Sequence, residues 1–150
     1  MQVTIQNIDC TQTEKVIIQC HKVTEIVEDI RRFVTSRNKN VEVYDDNKIL
    51  YIPLSDIYYV EAVDNRSFVY LSHKVYEIKM KLYEFEDSYN NHSFFRCSKQ
   101  NIINLMKIVD IKPALNGRFT VMLSNHETVI ISRKYVNDLF TKLRGEERWV

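Results

Sequence analysis

Glycine is nearly absent from this 150-residue chain, which contains only Gly117 and Gly145. Phosphate-cradling loops need glycine wherever backbone must approach the ligand, so two isolated glycines exclude a Walker loop or a dinucleotide fingerprint. Proline is as scarce, with Pro53 and Pro113 only, and a chain poor in both residues holds no long flexible linker. Three cysteines (Cys10, Cys20 and Cys97) make an odd count without metal-ligand spacing, which points to reduced free thiols. The four histidines, His21, His73, His92 and His126, are scattered and form no i,i+4 pair for zinc. No serine stands in a G-x-S-x-G elbow, and the adjacent Asp45 and Asp46 read as turn residues. Catalysis, a cofactor, a metal and a small-molecule substrate are therefore not expected. Apolar runs stop after a handful of residues, far short of the roughly 20 needed to cross a bilayer. The opening MQVTIQNIDC has neither a basic region nor an apolar stretch, so no signal peptide is expected and the cytoplasm is the expected compartment.

The residues that are present suit a globular domain, at 45% hydrophobic and 27% charged, long enough to bury a substantial core. Net charge is only +1, but it is unevenly spread. Residues 1–91 hold 11 Lys/Arg against 15 Asp/Glu, whereas residues 92–150 hold 10 against 5. A basic C-terminal portion on a near-neutral chain is the trace that a phosphate-facing surface leaves.

Hydrophobic spacing sets the elements. Val3-Thr4-Ile5-Gln6 and Val16-Ile17-Ile18-Gln19 alternate as short strands around a hairpin-like connection, DCTQTE. Val23, Ile26, Val27, Ile30, Phe33 and Val34 then line one face of a helix, with acids Glu25, Glu28 and Asp29 early and Arg31, Arg32 and Arg37 late, as the helix dipole favours; Asn38-Lys39-Asn40 ends it. From residue 41 the period becomes two. Strands are expected at 41–44, 48–52, 57–63, 67–72, 75–79 and from Phe94, and again in RFTVMLS and HETVIIS, with a short helix at 81–89. After Asn101 a turn or half-helix should lead into Ile108–Leu115, and Asn116-Gly117 should form a tight turn. A closing helix runs from Arg133, with Val136, Leu139, Phe140 and Leu143 on one side. The class is α+β, mostly β: a strand-strand-helix appendage at 1–40 and a β-rich domain at 41–150.

One stretch does not fit a plain core. In FFRCSKQNIINL, residues 94–105, apolar positions frame a polar run of cation, amide and hydroxyl donors. With DIYYVEAVDNRSFVYL before it, its continuation FFRCSKQNIINLMKIVDI, and GRFTVMLSNHETVIISRKYVNDLF after, the chain resembles in order and spacing the LytTR-type DNA-binding domain of bacterial transcription regulators. The resemblance covers about residues 41–144. It departs at SNHET, where many relatives carry an acid-Gly turn. What it implies is a multi-sheet β domain that places loops and a helix start in successive major grooves, with two copies on a pair of direct repeats.

Carried over residue by residue, the resemblance puts Lys99 and Arg133 at base-reading positions and the turn Asn65-Arg66-Ser67 at a third contact region, with Arg66 and Ser67 as the base contacts there. Arginine can give two parallel hydrogen bonds to the O6/N7 edge of guanine, while lysine donates with less directional constraint. Asn65, Lys81, Arg96, Ser98, Gln100 and Lys134 are then expected on phosphates, fixing register without reading sequence. Tyr58, Tyr59 and Tyr70 are expected in the core or on a sheet face. Cys97, between Arg96 and Lys99, has two readings: a thiol that nearby positive charge turns toward the thiolate, whose oxidation or alkylation would weaken DNA binding by crowding the loop, or an inert buried thiol.

Forty N-terminal residues are too few for the phosphate-accepting receiver domain that many relatives carry. Two placements of the N-terminal helix are open: packed on the β domain as extra core, or presenting Ile26, Ile30 and Phe33 to a second copy or a regulatory protein. The resemblance favours a membrane-embedded regulatory partner. The rival function is a protein-interaction module of the same fold, binding a partner through that helix without specific DNA binding.

Overall fold

The computed structural model describes residues 1–36, 39–89 and 93–144; the sequence features at Arg37, Asn38, His92 and Gly145 lie outside them. The first departure from expectation is at the N-terminus. Residues 3–6 and 16–19 form no strands, although the connection between them does turn: Gln12 N–H donates to Asp9 O (3.0 Å) and the Thr11 amide and hydroxyl donate to Asp9 Oδ1 at 2.9 and 2.8 Å. Alternation specifies which face a strand would bury, but a strand exists only when its backbone groups find a ladder. Here they find none, and Val3, Ile5, Val16 and Ile17 stay exposed.

Helix α1, Glu25–Ser36, follows where the 3.6-residue spacing placed it. Its polar side carries the pairs Glu28–Arg31 (2.7 Å) and Asp29–Arg32, each one turn apart. Val27 is buried and Ile30 and Val34 are half-buried, whereas Val23, Ile26 and Phe33 stay exposed. The helix thus buries a narrower stripe than its sequence offers.

Among the described residues, ten strands and two further α-helices follow. β1 (Asn40–Asp45), β2 (Lys48–Pro53), β3 (Tyr59–Val63), β4 (Arg66–Tyr70), β5 (Val75–Ile78), β6 (Phe94–Arg96) and β7 (Asn101–Asn104) form a sheet in the order β2-β1-β5-β4-β3-β7-β6. β8 (Ile108–Pro113), β9 (Phe119–Leu123) and β10 (Thr128–Ile131) form a three-stranded meander. Helix α2 (Leu82–Ser88) lies between β5 and β6, and α3 (Val136–Arg144) closes the described chain after a single 3-10 turn at Arg133–Tyr135. Strand β7, where a turn was expected, is the element that the sequence reading missed.

Period-two alternation divides the large sheet's side chains between two cores. On one face Val41, Val43, Val60, Val69, Ile78 and Ile102 pack with Leu82 and Phe85 of α2. On the other, Tyr59 and Ile103 meet Val121, Leu123, Val129 and Ile131 of the meander and Leu139 of α3. Tyr59 stacks on Tyr70, ring centres 4.2 Å apart, and its hydroxyl donates to Glu127 Oε2 at 3.1 Å, tying the two sheets together. These tyrosines serve the sheet face, as expected. The meander is therefore packed on the face of the large sheet opposite α2.

Candidate nucleic-acid interface

Three segments singled out in the sequence meet at one end of the large sheet. The β3–β4 connection is a two-residue turn, Asp64-Asn65, with both residues at positive φ (50° and 64°) as a type I′ hairpin requires. Ala62 N–H, just before it, donates to Gln100 O (2.8 Å), which brings the hairpin tip beside the 97–101 loop. Ser132 N–H donates to Cys97 O (2.9 Å), which brings the start of the Arg133 turn to the same loop. Strand β5 leaves the sheet at this end too, because Ile78 pairs with Ser67, and exposed Lys81 follows at the start of α2.

The turn ends at Asn65, so Arg66 already belongs to the strand, and this decides the fate of Ser67. Arg66 and Ser67 belong to β4, and neighbouring strand residues point to opposite faces. Ser67 faces the core between Ala62 and Ile78 and is only 6% exposed. It has no route to a base edge, so its expected contact role is corrected. Arg66 points outward, but Nε donates to Glu77 Oε1 (3.2 Å), Nη2 bonds Glu77 Oε2, and the guanidinium lies 5.3 Å from the Phe68 ring centre. That hydrogen bond also holds the Glu77 carboxyl below its usual range. A phosphate or base approaching Arg66 has to compete with Glu77. Asn65, at the tip, is exposed.

The 97–101 loop is built by its own backbone. Cys97 N–H donates to Asn101 O (3.0 Å), and Gln100 N–H donates to Ser98 Oγ (3.2 Å). Ser98 is buried and spent on this turn, which corrects its expected phosphate role. Arg96 is also committed: Nε donates to Ser98 O and Nη2 to Lys99 O, both at 2.7 Å, with Glu86 3.8 Å from Nη1. Rather than reaching outward for a phosphate, its guanidinium grips the loop from within. Lys99 and Gln100 project at the crest. Sequence inspection also passed over Asn104, which is buried, donates from Nδ2 to Ile57 O (2.8 Å) and accepts from Met106 N–H (3.0 Å). It ties β7 to the segment entering β3; a lone polar residue in an apolar run was the available signal.

Arg133 and Lys134 open the 3-10 turn, closed by Tyr135 N–H donating to Ser132 O at 2.8 Å, and both are exposed. The Lys134 ammonium lies 5.5 Å from the centre of the Tyr135 ring. Among the described residues, the Lys99 ammonium and the Arg133 guanidinium have neither a hydrogen-bond nor an ion-pair partner. Of the cations at this end, Arg66 and Arg96 are thus held internally, whereas Lys99 and Arg133 keep their donors available at the loop crests, and Lys81 and Lys134 stand exposed beside them without an ion pair among the described residues.

Of the two readings of Cys97, the structure fits the inert buried thiol. It is fully buried, its Sγ donates to Asn101 O (3.4 Å), and burial pushes the thiol up to about 12, the nearby Arg96 opposing this only weakly. At pH 8 the thiol therefore stays protonated. The native protein should therefore show two rapidly alkylated thiols, the exposed Cys10 and Cys20, with Cys97 labelled only after denaturation. Mass spectrometry of the labelled peptides checks this, and fast native labelling of Cys97 would contradict the assigned burial.

A β-rich domain that gathers polar loops at one end, with two unpartnered cations at their crests, has the build of a nucleic-acid-binding domain. The family model of the LytTr DNA-binding domain matches residues 47–144, and the chain belongs to that family. It is 33% identical over 106 residues to the transcriptional regulatory protein YpdB of Escherichia coli K12, covering 70% of this chain and 43% of YpdB. It thus spans less than half of that relative. It is 27% identical over 139 residues to an HTH-type transcriptional regulator of Staphylococcus aureus strain N315, covering 91% of this chain and 94% of that protein. A solved LytTr DNA-binding domain from Bacillus cereus superposes with a TM-score of 0.65 at 30% identity, over 72% of this chain and 98% of that one. The chain therefore carries a DNA-binding domain of the kind found in transcription regulators. Among the described residues no helix is long and apolar enough to cross a membrane.

Proposed function

We propose that this protein regulates transcription from the cytoplasm by reading promoter DNA through the two crests that carry Lys99 and Arg133. The observation that carries the reading is that, among the described residues, these cations have no hydrogen-bond or ion-pair partner and stand on adjacent loops pinned together by Ser132 N–H donating to Cys97 O, while their neighbours Arg66 and Arg96 are engaged within the protein. Arg133 then forms the bidentate contact to a guanine edge and Lys99 a single-donor contact to a base or phosphate. Asn65, Lys81, Gln100 and Lys134 surround them and set register on the backbone. Two copies occupy two direct repeats, one set of crests to each. Residues 1–40 supply the contact to a second copy or to a membrane-embedded regulatory protein.

A second reading draws support from the exposed apolar side of α1, where Ile26 is 47% and Phe33 38% exposed. In that reading the chain is an interaction module that binds a protein partner through α1. The two differ in their response to salt. With three or more cations on phosphates, log affinity falls against log salt concentration with a slope of about −0.9 per contact. An apolar helix interface weakens little. The test compares binding to the DNA upstream of the protein's own coding sequence with a scrambled fragment, at two salt concentrations. The expected outcome is a preference for the native fragment with a steep salt slope. Equal, weak binding to both would favour the interaction module.

A further inference from the structure

We infer that Gly117 is the positioning residue for Arg133: its bare backbone is the wall along which the arginine stem lies, and that wall sets the direction in which the guanidinium leaves the surface. The inference rests on the reading of Arg133 as a base contact and adds how the contact is aimed.

The connection between β8 and β9 turns through two left-handed residues, Asn116 (φ 62°) and Gly117 (φ 74°), and is closed by Ala114 N–H donating to Arg118 O at 2.9 Å. The sheet register brings this tip to the Arg133 turn. Phe119, the first residue after the tip, pairs with Pro113 on one side and with Ile131, the last residue of β10, on the other. The chain beyond Ile131 therefore passes beside the tip. A Cβ built at position 117 would lie 2.9 Å from Arg133 Cδ, 3.2 Å from Cγ and 4.0 Å from Cβ.

Every one of those nearest atoms belongs to a single side chain. A methyl group at 117 would be accommodated by displacing Arg133, without cutting into the core or another backbone. This separates two demands on the glycine. The left-handed backbone favours glycine for the turn itself, and the missing Cβ leaves room for the stem. An arginine stem is long and rotatable, and docking against DNA costs it that freedom. A wall along the stem removes part of the cost before DNA arrives. A bidentate pair with a base edge also demands close angular tolerance, which a supporting surface supplies and an unsupported side chain does not.

Two substitutions separate aim from fold. Gly117→Ala and Gly117→Asn add the same Cβ, but asparagine tolerates the left-handed backbone better than alanine. The pair should therefore differ in stability and agree in what they do to Arg133. The wild-type full chain is allowed to select duplexes from a randomised pool, and sequencing gives its preferred base at each position. Arg133→Ala then identifies the position that Arg133 governs. Both Gly117 variants are expected to relax preference at that same position and keep it elsewhere. Affinity for the selected duplex should fall about fivefold, the low end of what a bidentate pair is worth. Adding either Gly117 change to Arg133→Ala should cost no further affinity. The inference is overturned if Gly117→Asn keeps full preference at that position, or if losses spread over all positions in step with Tm. It is equally overturned if the Gly117 changes cost as much without the Arg133 side chain as with it. Should the wild-type protein select no sequence, or Arg133→Ala leave every preference intact, the base-contact reading itself fails and this inference falls with it.

Discussion

Arg133→Ala is expected to lower affinity for the selected duplex more than tenfold while leaving Tm within about 2 °C of wild type. The first half follows from what the side chain offers: a bidentate pair with a base edge is worth about 1–3 kcal/mol of discrimination. On a duplex holding two copies the loss applies twice, so the two-copy complex falls about a hundredfold or more. The second half follows from what the side chain lacks inside the protein. Arg133 is exposed, outside both core clusters and, among the described residues, without an ion pair. Surface substitutions of that kind usually change stability by less than about 0.5 kcal/mol, a Tm shift of about 1–2 °C in a chain this long. Fluorescence anisotropy with the selected and a scrambled duplex, beside a thermal melt, reads both halves. A parallel fall of affinity and Tm would make Arg133 a structural residue. Unchanged affinity at constant Tm would remove it from the interface.

The parts of this fold legible in the sequence are those in which a local pattern and a tertiary partner agree. The alternation in 41–52 and 57–79 reads correctly because those strands bury one face against Phe85 and its neighbours, so the pattern is the fold. The N-terminal runs Val3–Gln6 and Val16–Gln19 alternate just as well but have no ladder. Pairing is a tertiary property that a pattern cannot carry alone. Strand β7 fails in the opposite direction. Its sequence, Asn101-Ile102-Ile103-Asn104, has a turn-former at each end, and Asn104 is tolerated in the strand because Ile57 O and Met106 N–H satisfy its amide.

At the site, the resemblance located the three segments, and the limits of sequence lay in orientation. A contact region extended to Ser67 counts as outward a residue that the strand pairing turns to the core. Counting cations, likewise, cannot separate Arg133, whose donors are unpartnered, from Arg96, whose donors are engaged by the loop that it was expected to decorate. That distinction appears only when the carbonyls of Ser98 and Lys99 are seen to point back at the guanidinium.

It also gives Arg96 a measurable signature. Arg96→Ala should lower DNA affinity about tenfold or more and reduce Tm by about 2–8 °C. Hydrogen bonds from a charged donor are worth about 1.5–3 kcal/mol each. Water can replace part of that at the half-exposed loop, leaving a net loss of about 1–2 kcal/mol, which in a chain this long gives that Tm range. The Glu86 pair, at 3.8 Å and partly exposed, adds little. The affinity loss has a separate origin. With the grip gone, Ser98 and Lys99 regain backbone freedom that binding must remove again, at about 1–2 kcal/mol per residue. Lysine at this position is the deciding comparison. It keeps the charge but lacks the fork that reaches two carbonyls at once. If Arg96 neutralised a phosphate, Arg96→Lys would restore binding, and Arg96→Ala would flatten the salt slope by about one contact. If Arg96 instead shapes the crest that carries Lys99, Arg96→Lys should bind nearly as poorly as Arg96→Ala, and both should keep the wild-type salt slope, since no cation on the DNA has been removed. The geometry, with both nitrogens 2.7 Å from loop carbonyls, predicts the second result.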